Sequence, residues 1–89
     1  MFYLYVLYSP KVKRYYVGVT ANLADRLRRH NGGRNPSTKS GTPWVVVYRE
    51  QYLTRAAAVG REQKIKSYHG GRAFREMLGS HPTPGGEVA

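Results

Sequence analysis

Hydrophobic and polar residues form blocks along the chain that predict two strands followed by a helix. Residues 2–8 read FYLYVLY, apolar on both faces of an extended chain, which predicts a central strand that ends at Ser9-Pro10. Residues 14–20 form a second Tyr- and Val-rich run, and the short polar connection between the two runs predicts an antiparallel hairpin. Asn22 then provides a helix N-cap, and Gly32-Gly33 ends that helix.

The second half of the chain continues with one strand and two helices. Residues 43–52 (PWVVVYREQY) alternate and predict a third strand, after which a second helix runs to about Tyr68. Residues 72–78 predict a short third helix, and the Gly- and Pro-rich residues 79–89 predict a disordered tail. We therefore expect one α/β (α+β) domain at 1–78, ordered ββαβα plus a short C-terminal helix, with a three-stranded, mostly antiparallel sheet flanked by helices.

The composition adds a strong positive charge to this small domain. The 89 residues contain 15 Lys and Arg but five Asp and Glu, which gives a net charge of +10 at pH 7. Such an excess indicates a polyanionic partner, nucleic acid or an anionic membrane surface, and a solvated basic surface is the simpler alternative. We favour nucleic acid over the membrane, because the apolar faces of the helices are needed for the core.

Other classes of protein are excluded or disfavoured by what the sequence contains. No cysteine is present, which excludes disulfides and thiolate zinc sites. No apolar run approaches the roughly 18 residues that a membrane span needs. The N-terminus lacks the basic region and cleavage site of a signal peptide, so we expect a cytoplasmic protein.

Two polar residues occupy helical positions where apolar ones are expected. Glu62 lies in the apolar arc that Ala58 and Ile65 form on the second helix. His30 lies one turn after Arg26 on the first helix, so both side chains can point at one place. Two structural alternatives remain open: an ion pair between Glu62 and an arginine, and a buried histidine that is satisfied in the core.

Carboxylates are scarce, and this limits the metal chemistry that the chain can support. Five carboxylate side chains in the whole sequence are too few for a two-metal nuclease site. One hard cation held by one carboxylate, waters and a substrate phosphate is compatible with the sequence. The three histidines lack the HExxH spacing of a zinc site.

The aromatic runs and these polar residues together resemble a known family. Tyr3-Leu4-Tyr5, followed after ten residues by Tyr16-Val17-Gly18, resembles the paired motifs of the GIY-YIG endonucleases. The resemblance continues with Arg26, eight residues after the glycine, with His30 one turn on, and with Glu62 in the second helix. The chain is most similar to the small stand-alone bacterial members of that family.

The resemblance covers about residues 2–78 and includes two departures from the family pattern. Tyr3-Leu4 replaces the Gly-Ile of the first motif. Several members also have an asparagine about twelve residues after the metal-binding glutamate, where this chain has Phe74. The second departure puts the efficiency of catalysis in doubt, although it leaves the expected fold unchanged.

The resemblance implies metal-dependent hydrolysis of phosphodiester bonds in DNA. Tyr16 would activate or position the attacking water, and Arg26 would bind the scissile phosphate. Glu62 would hold a single Mg²⁺ or Mn²⁺, which neutralises charge on the phosphate and the leaving oxygen. Tyr5 would orient water or phosphate, and His30 would assist the removal of a proton.

Further basic residues are expected to contact the nucleic-acid backbone, in DNA more readily than in RNA. They are Arg28, Arg29, Arg34, Lys39, Arg61, Lys64 and Lys66. The alternative from another functional class is a nucleic-acid-binding module that keeps the fold with weak or no turnover. The oligomeric state is not indicated by the sequence.

Overall fold

The computed structural model describes residues 1–33, 38–79 and 87–88 of the chain. Its elements are β1 (Phe2–Ser9), β2 (Arg14–Thr20), α1 (Leu23–Asn31), a short 3₁₀ turn (Lys39–Gly41), β3 (Val45–Tyr52), α2 (Arg55–Lys66), α3 (Arg72–Leu78) and β4 (Glu87–Val88). No helix among these residues is long and apolar enough to cross a membrane.

The sheet has the strand order β3-β1-β2-β4, with β1 at its centre. β1 pairs antiparallel with β2 and with β3, which places Tyr5 beside Gly18 on one side and Arg49 on the other. The predicted ββαβα order, the hairpin, the central position of β1 and the short third helix are confirmed. The three antiparallel strands expected from the pattern form the body of the sheet.

A fourth strand is an addition that the hydrophobic pattern did not predict. Glu87–Val88 pairs in parallel with Arg14 and Tyr15 of β2. Two residues are too short a run to give a periodic signal, because periodicity needs several repeats. The rest of the predicted disordered tail, residues 80–86 and 89, lies outside the described residues.

Each face of the sheet has its own hydrophobic core, because successive residues of a strand point to opposite faces. Leu4 and Val6 face α2 and α3, where Ile65 and Phe74 pack against them. Residues of β1 on the other face pack with side chains from α1 and from the segment before β3. This second cluster contains Tyr5, Leu7, Trp44, Leu23 and Leu27.

Side-chain caps set the beginnings of the two longer helices. The Asn22 carboxamide accepts a hydrogen bond from the backbone N–H of Asp25 at 3.0 Å. The Thr54 hydroxyl accepts one from the N–H of Ala57 at 3.2 Å. Both caps agree with the sequence patterns, because each side chain satisfies a backbone N–H that lacks a partner within the helix.

A partly buried charge network joins the edge strand β3 to α2. The Arg61 guanidinium binds the Glu50 carboxylate, with Nε and Oε1 3.0 Å apart, and Tyr52 donates to the same carboxylate at 2.6 Å. The Tyr48 hydroxyl is a third donor. Burial alone would raise the pKa of Glu50, but the hydrogen bonds from Tyr48, Tyr52 and Arg61 outweigh burial and lower it. The ionised carboxylate is therefore the form that the fold favours.

Glu50→Gln is expected to destabilise the domain, because an amide cannot accept from all of these donors and carries no charge. We expect a loss of about 1–3 kcal/mol in the free energy of unfolding at neutral pH. Urea denaturation of both proteins measures the difference. Glu76→Gln is the matched control, since Glu76 pairs with Arg72 on the exposed surface and such pairs contribute little.

The stabilities of the wild type and of Glu50→Gln should also depend differently on pH, in a direction that the pKa of Glu50 determines. Since the pKa of Glu50 is lowered by folding, its extra stabilisation is full above the ordinary glutamate pKa of about 4.3. It declines as the pH falls from there through the lowered pKa. A difference between wild type and Glu50→Gln that is the same at neutral pH and at about pH 3 contradicts this account.

Candidate active site

The candidate site is built around Tyr5, whose side chain is fully buried on the α1 side of the sheet. Tyr5 lies beside Gly18 in the β1–β2 ladder, and its phenol ring covers that glycine. A methyl group at Gly18 would lie 2.5 Å from the Tyr5 hydroxyl oxygen. The two halves of the paired motif therefore form one packing unit, in which the glycine provides the space that the tyrosine ring fills.

His30, at the end of α1, is fully buried against this ring. Its Nε2 lies 3.2 Å from the Tyr5 hydroxyl, and its Nδ1 lies 2.9 Å from the hydroxyl of Thr38. The imidazole also contacts Tyr16, with ring centroids 4.7 Å apart. His30 thus has the two satisfied nitrogens of a structural histidine, and one of its partners is a residue of the paired motif.

Arg26 and Glu62 act on Tyr5 from two different helices. Burial raises the pKa of Tyr5 to about 12, and the neighbouring Tyr16 adds to the effect. Arg26 opposes it as a positive charge and as a hydrogen-bond donor to the phenol, whereas the negative charge of Glu62 raises the pKa further. The Tyr5 phenol is consequently protonated at neutral pH.

The charge on Arg26 also affects His30. Burial lowers the pKa of His30 below its ordinary value, and the nearby guanidinium lowers it further. His30 is therefore a neutral imidazole at neutral pH, with one nitrogen that donates and one that accepts.

The five predicted catalytic residues form two layers. Tyr5 and His30 are buried, while Tyr16, Arg26 and Glu62 remain partly exposed. The outer three are the side chains that a substrate can reach. Ring contacts join the inner pair to Tyr16, and the charges of Arg26 and Glu62 act on the Tyr5 phenol.

Glu62 is a partly exposed carboxylate on α2. Its Oε2 lies 3.3 Å from the Lys66 ammonium one turn further along α2, and its side chain is 20% exposed. Among the described residues no group of three or more His, Cys, Asp or Glu side chains comes together. Magnesium is commonly held by one or two carboxylates with waters and substrate phosphate, and this donor set fits that mode.

The segment after α1 contains site residues that sequence reasoning missed. Thr38 binds His30 through its hydroxyl, and its carbonyl accepts from Trp44 Nε1 at 2.8 Å. The Asn31 carboxamide accepts from the Trp44 N–H at 2.5 Å and donates to its carbonyl at 3.1 Å. Trp44 was the available sequence signal for this segment. Its large ring needs a pocket, and its indole N–H needs a hydrogen-bond partner when it is buried.

The predicted nucleic-acid contacts on the α1 side are solvent-exposed in the described part of the chain, which does not include Arg34. Arg28 and Arg29 share the carboxylate of Asp25 at 3.4 and 3.1 Å. Lys39 is exposed, and its aliphatic part lies close to Gly33 just after α1. Two arginines for one carboxylate leave this surface positively charged.

The remaining predicted contacts lie on α2, on the other side of the sheet. Lys64 and Lys66 are exposed, and the second of these pairs with Glu62. Arg61 is held in the network with Glu50, and its side chain is 27% exposed. Its assignment to a nucleic-acid contact stays a prediction.

Phe74 occupies the position at which several family members have an asparagine, and it belongs to the core. It is 1% exposed, and its ring meets the edge of Tyr15 at a centroid distance of 5.0 Å. This position therefore contributes packing on the α2 side and no polar group to the site.

Comparison with known proteins bears directly on this arrangement. A family model described as the GIY-YIG catalytic domain matches residues 1–73. The chain belongs to the GIY-YIG family. The match includes all five candidate catalytic residues, and it places the chain in a family of nucleases.

Relatives of this GIY-YIG domain occur in bacteria and archaea under the name UPF0213 protein. The one from Staphylococcus haemolyticus is 34% identical over 67 residues, which cover 74% of this chain and 80% of the relative. The one from Natronomonas pharaonis is 36% identical over 77 residues, covering 85% and 87%. A third, from Haloquadratum walsbyi, is 43% identical over 54 residues, covering 60% and 61%.

Gly18→Ala is expected to destabilise the GIY-YIG domain by overpacking, by about 1–3 kcal/mol. The added methyl group conflicts with the Tyr5 ring, which has no free volume to move into. Gly60→Ala is the matched control: it lies in α2 with open space at the new methyl, so alanine should stabilise by about 0.5–1 kcal/mol. Thermal or urea unfolding compares the two, and equal stabilities of Gly18→Ala and wild type contradict the packing argument.

Proposed function

We propose that this domain is a divalent-metal-dependent nuclease that hydrolyses phosphodiester bonds, in DNA in preference to RNA. The supporting observation is that Tyr5, His30 and Tyr16 are in contact, and that the charges of Arg26 on α1 and Glu62 on α2 both act on the Tyr5 phenol. These residue types match, position by position, the roles that membership of the GIY-YIG family suggests.

Arg26 is proposed to bind the scissile phosphate. Arg26 is partly exposed, and its positive charge acts on the buried Tyr5 phenol, where it opposes the rise in the pKa of Tyr5. An arginine can bind two phosphate oxygens at once, and its positive charge stabilises the charge that develops on them.

Tyr16 is proposed to face the attacking water. It is the partly exposed member of the tyrosine pair, whereas Tyr5 is buried and protonated. Its ring is held against His30, and Trp44 flanks it at a centroid distance of 6.5 Å. We assign the Tyr16 hydroxyl the orientation of the attacking water, and only its phenolate form would also accept the proton of that water.

Glu62 is proposed to hold a single Mg²⁺ or Mn²⁺. When bound there, such a cation supplies neutralisation of the phosphate and of the leaving oxygen. Lys66 occupies one carboxylate oxygen by an exposed pair, which a divalent cation can displace because such pairs are weak. His30 is fully buried and contacts the Tyr5 hydroxyl, so its part is assigned through Tyr5.

Cleavage should depend on Glu62 and Arg26. Branched, nicked and single-stranded DNA, and a matching RNA, are incubated with the protein and Mg²⁺ or Mn²⁺. We expect cutting by the wild type and a loss of about 10²–10³ in kcat for Glu62→Gln and for Arg26→Ala. Removal of the metal with a chelator should abolish cutting.

Two surface variants control for general effects on charge and stability. Glu76→Gln and Arg72→Ala remove the exposed pair on α3, outside the site, and should cut at the wild-type rate. Cutting that survives in both Glu62→Gln and Arg26→Ala contradicts the mechanism and indicates a contaminating nuclease.

A second candidate function, a binding module with little or no turnover, is favoured by one observation. Phe74 fills a core position where several family members have a polar residue, so one phosphate contact is missing or supplied elsewhere. Such a module would bind nucleic acid without metal and release no product, and the same incubations test it.

Binding should be salt-dependent and should involve the basic end of α1. Arg28→Ala is expected to weaken binding to DNA of any sequence and to reduce the slope of log affinity against log salt by about one. Fluorescence anisotropy across a salt series measures both quantities. Arg72→Ala removes an equal charge from α3 and serves as the control, so an identical effect of the two substitutions contradicts a contact at α1.

A further inference from the structure

His30 lies in the middle of a chain of hydrogen bonds that reaches from β1 to the segment before β3. Its Nε2 meets the Tyr5 hydroxyl at 3.2 Å, and its Nδ1 meets the Thr38 hydroxyl at 2.9 Å. All three residues are buried, Thr38 at 1% exposure. A neutral imidazole has one donor and one acceptor nitrogen, so the chain runs in a single direction through it.

The surroundings of Tyr5 favour one direction. The positive charge of Arg26 acts on the Tyr5 phenol, and a positive charge favours the oxygen lone pairs turned toward it and the hydroxyl proton turned away. Its own proton needs an acceptor, and among the described residues the one recorded for it is His30 Nε2. Were Nε2 protonated instead, His30 would donate to the phenol oxygen, and the buried proton of Tyr5 would have no acceptor among the described residues, which is costly.

Thr38 itself is held in a fixed place. Its carbonyl accepts from Trp44 Nε1, and Trp44 is in turn bound at both backbone groups by the Asn31 side chain. Gly41, three residues after Thr38, lies under the Trp44 ring, and its carbonyl accepts from the buried Ser9 hydroxyl at 2.5 Å. The Thr38 hydroxyl is thus presented to His30 by a segment anchored to β1 and to the end of α1.

We infer that Thr38 is a positioning residue of the candidate active site, which accepts a hydrogen bond from His30 Nδ1–H and so makes Nε2 the acceptor for the Tyr5 proton. With that proton directed at His30, the oxygen lone pairs of Tyr5 face Arg26. Thr38 thereby influences the orientation of the Arg26 guanidinium through His30 and Tyr5. This inference rests on the proposed function for its catalytic consequence, and its structural part stands without it.

The tautomer of His30 is measured directly by nitrogen NMR of the imidazole. The chain has two other histidines, so the measurement uses the full protein with His69→Asn and His81→Gln, which leaves His30 alone. Asparagine suits position 69 because its backbone is left-handed, with a φ of 51°. We expect Nδ1 to be protonated and Nε2 to be unprotonated at neutral pH.

Substitution of Thr38 provides the second measurement. Thr38→Val keeps the shape of the side chain and removes the hydroxyl, and it should convert His30 partly or wholly to the Nε2–H tautomer. Thr38→Ser keeps the hydroxyl and should retain the wild-type tautomer. For cleavage, we expect kcat of Thr38→Val to fall about 10- to 100-fold with KM little changed, as for other outer partners of a functional histidine, and Thr38→Ser to restore it.

The possible results separate this inference from the proposed function. A wild-type His30 protonated at Nε2, or a tautomer that Thr38→Val leaves unchanged, overturns the inference even if the protein cuts DNA. If Thr38→Val fails to fold, the wild-type and Thr38→Ser spectra still decide. If the wild type cuts nothing, the proposed function fails, and the tautomer measurement decides the role of Thr38 independently.

Discussion

The packing of the Tyr5 ring over Gly18 is the contact on which the rest of the site depends. It fills the space between β1 and α1 with a phenol whose only polar atom is buried, and a buried hydroxyl must find partners. The partner among the described residues is His30 on α1, and the positive charge of Arg26 on the same helix acts on the phenol. The ring therefore links the hairpin to the helix.

The site has an inner layer that is structural and an outer layer that can meet a substrate. The inner layer is neutral and buried, since burial keeps Tyr5 protonated and His30 uncharged. The outer layer carries opposite charges, a guanidinium from α1 and a carboxylate from α2. Separating the two layers lets the domain hold charged groups at its surface without placing an unpaired charge in its small core.

The basic residues of the domain also fall into two groups, those paired within the fold and those exposed at the surface. Arg61 is paired with the partly buried Glu50 carboxylate and joins β3 to α2, whereas Arg28, Arg29 and Lys39 remain exposed at the surface. An excess of positive charge in the composition therefore does not translate residue by residue into an interaction surface. The tertiary structure decides which cations stabilise the fold and which are available to a polyanion.

The sequence by itself determined the order of elements, the caps at Asn22 and Thr54 and the paired tyrosine motif, because caps and periodicity act over a few neighbouring residues. It also singled out Glu62 and His30, since a polar side chain in an apolar arc is detectable on one helix. Only the tertiary structure decided that Thr38 binds His30 and that Arg61 binds Glu50. Thr38 lies eight residues after His30, and Arg61 lies eleven residues after Glu50. Each pair meets only because the chain turns between its two members, and neither residue type nor helical spacing predicts such a contact.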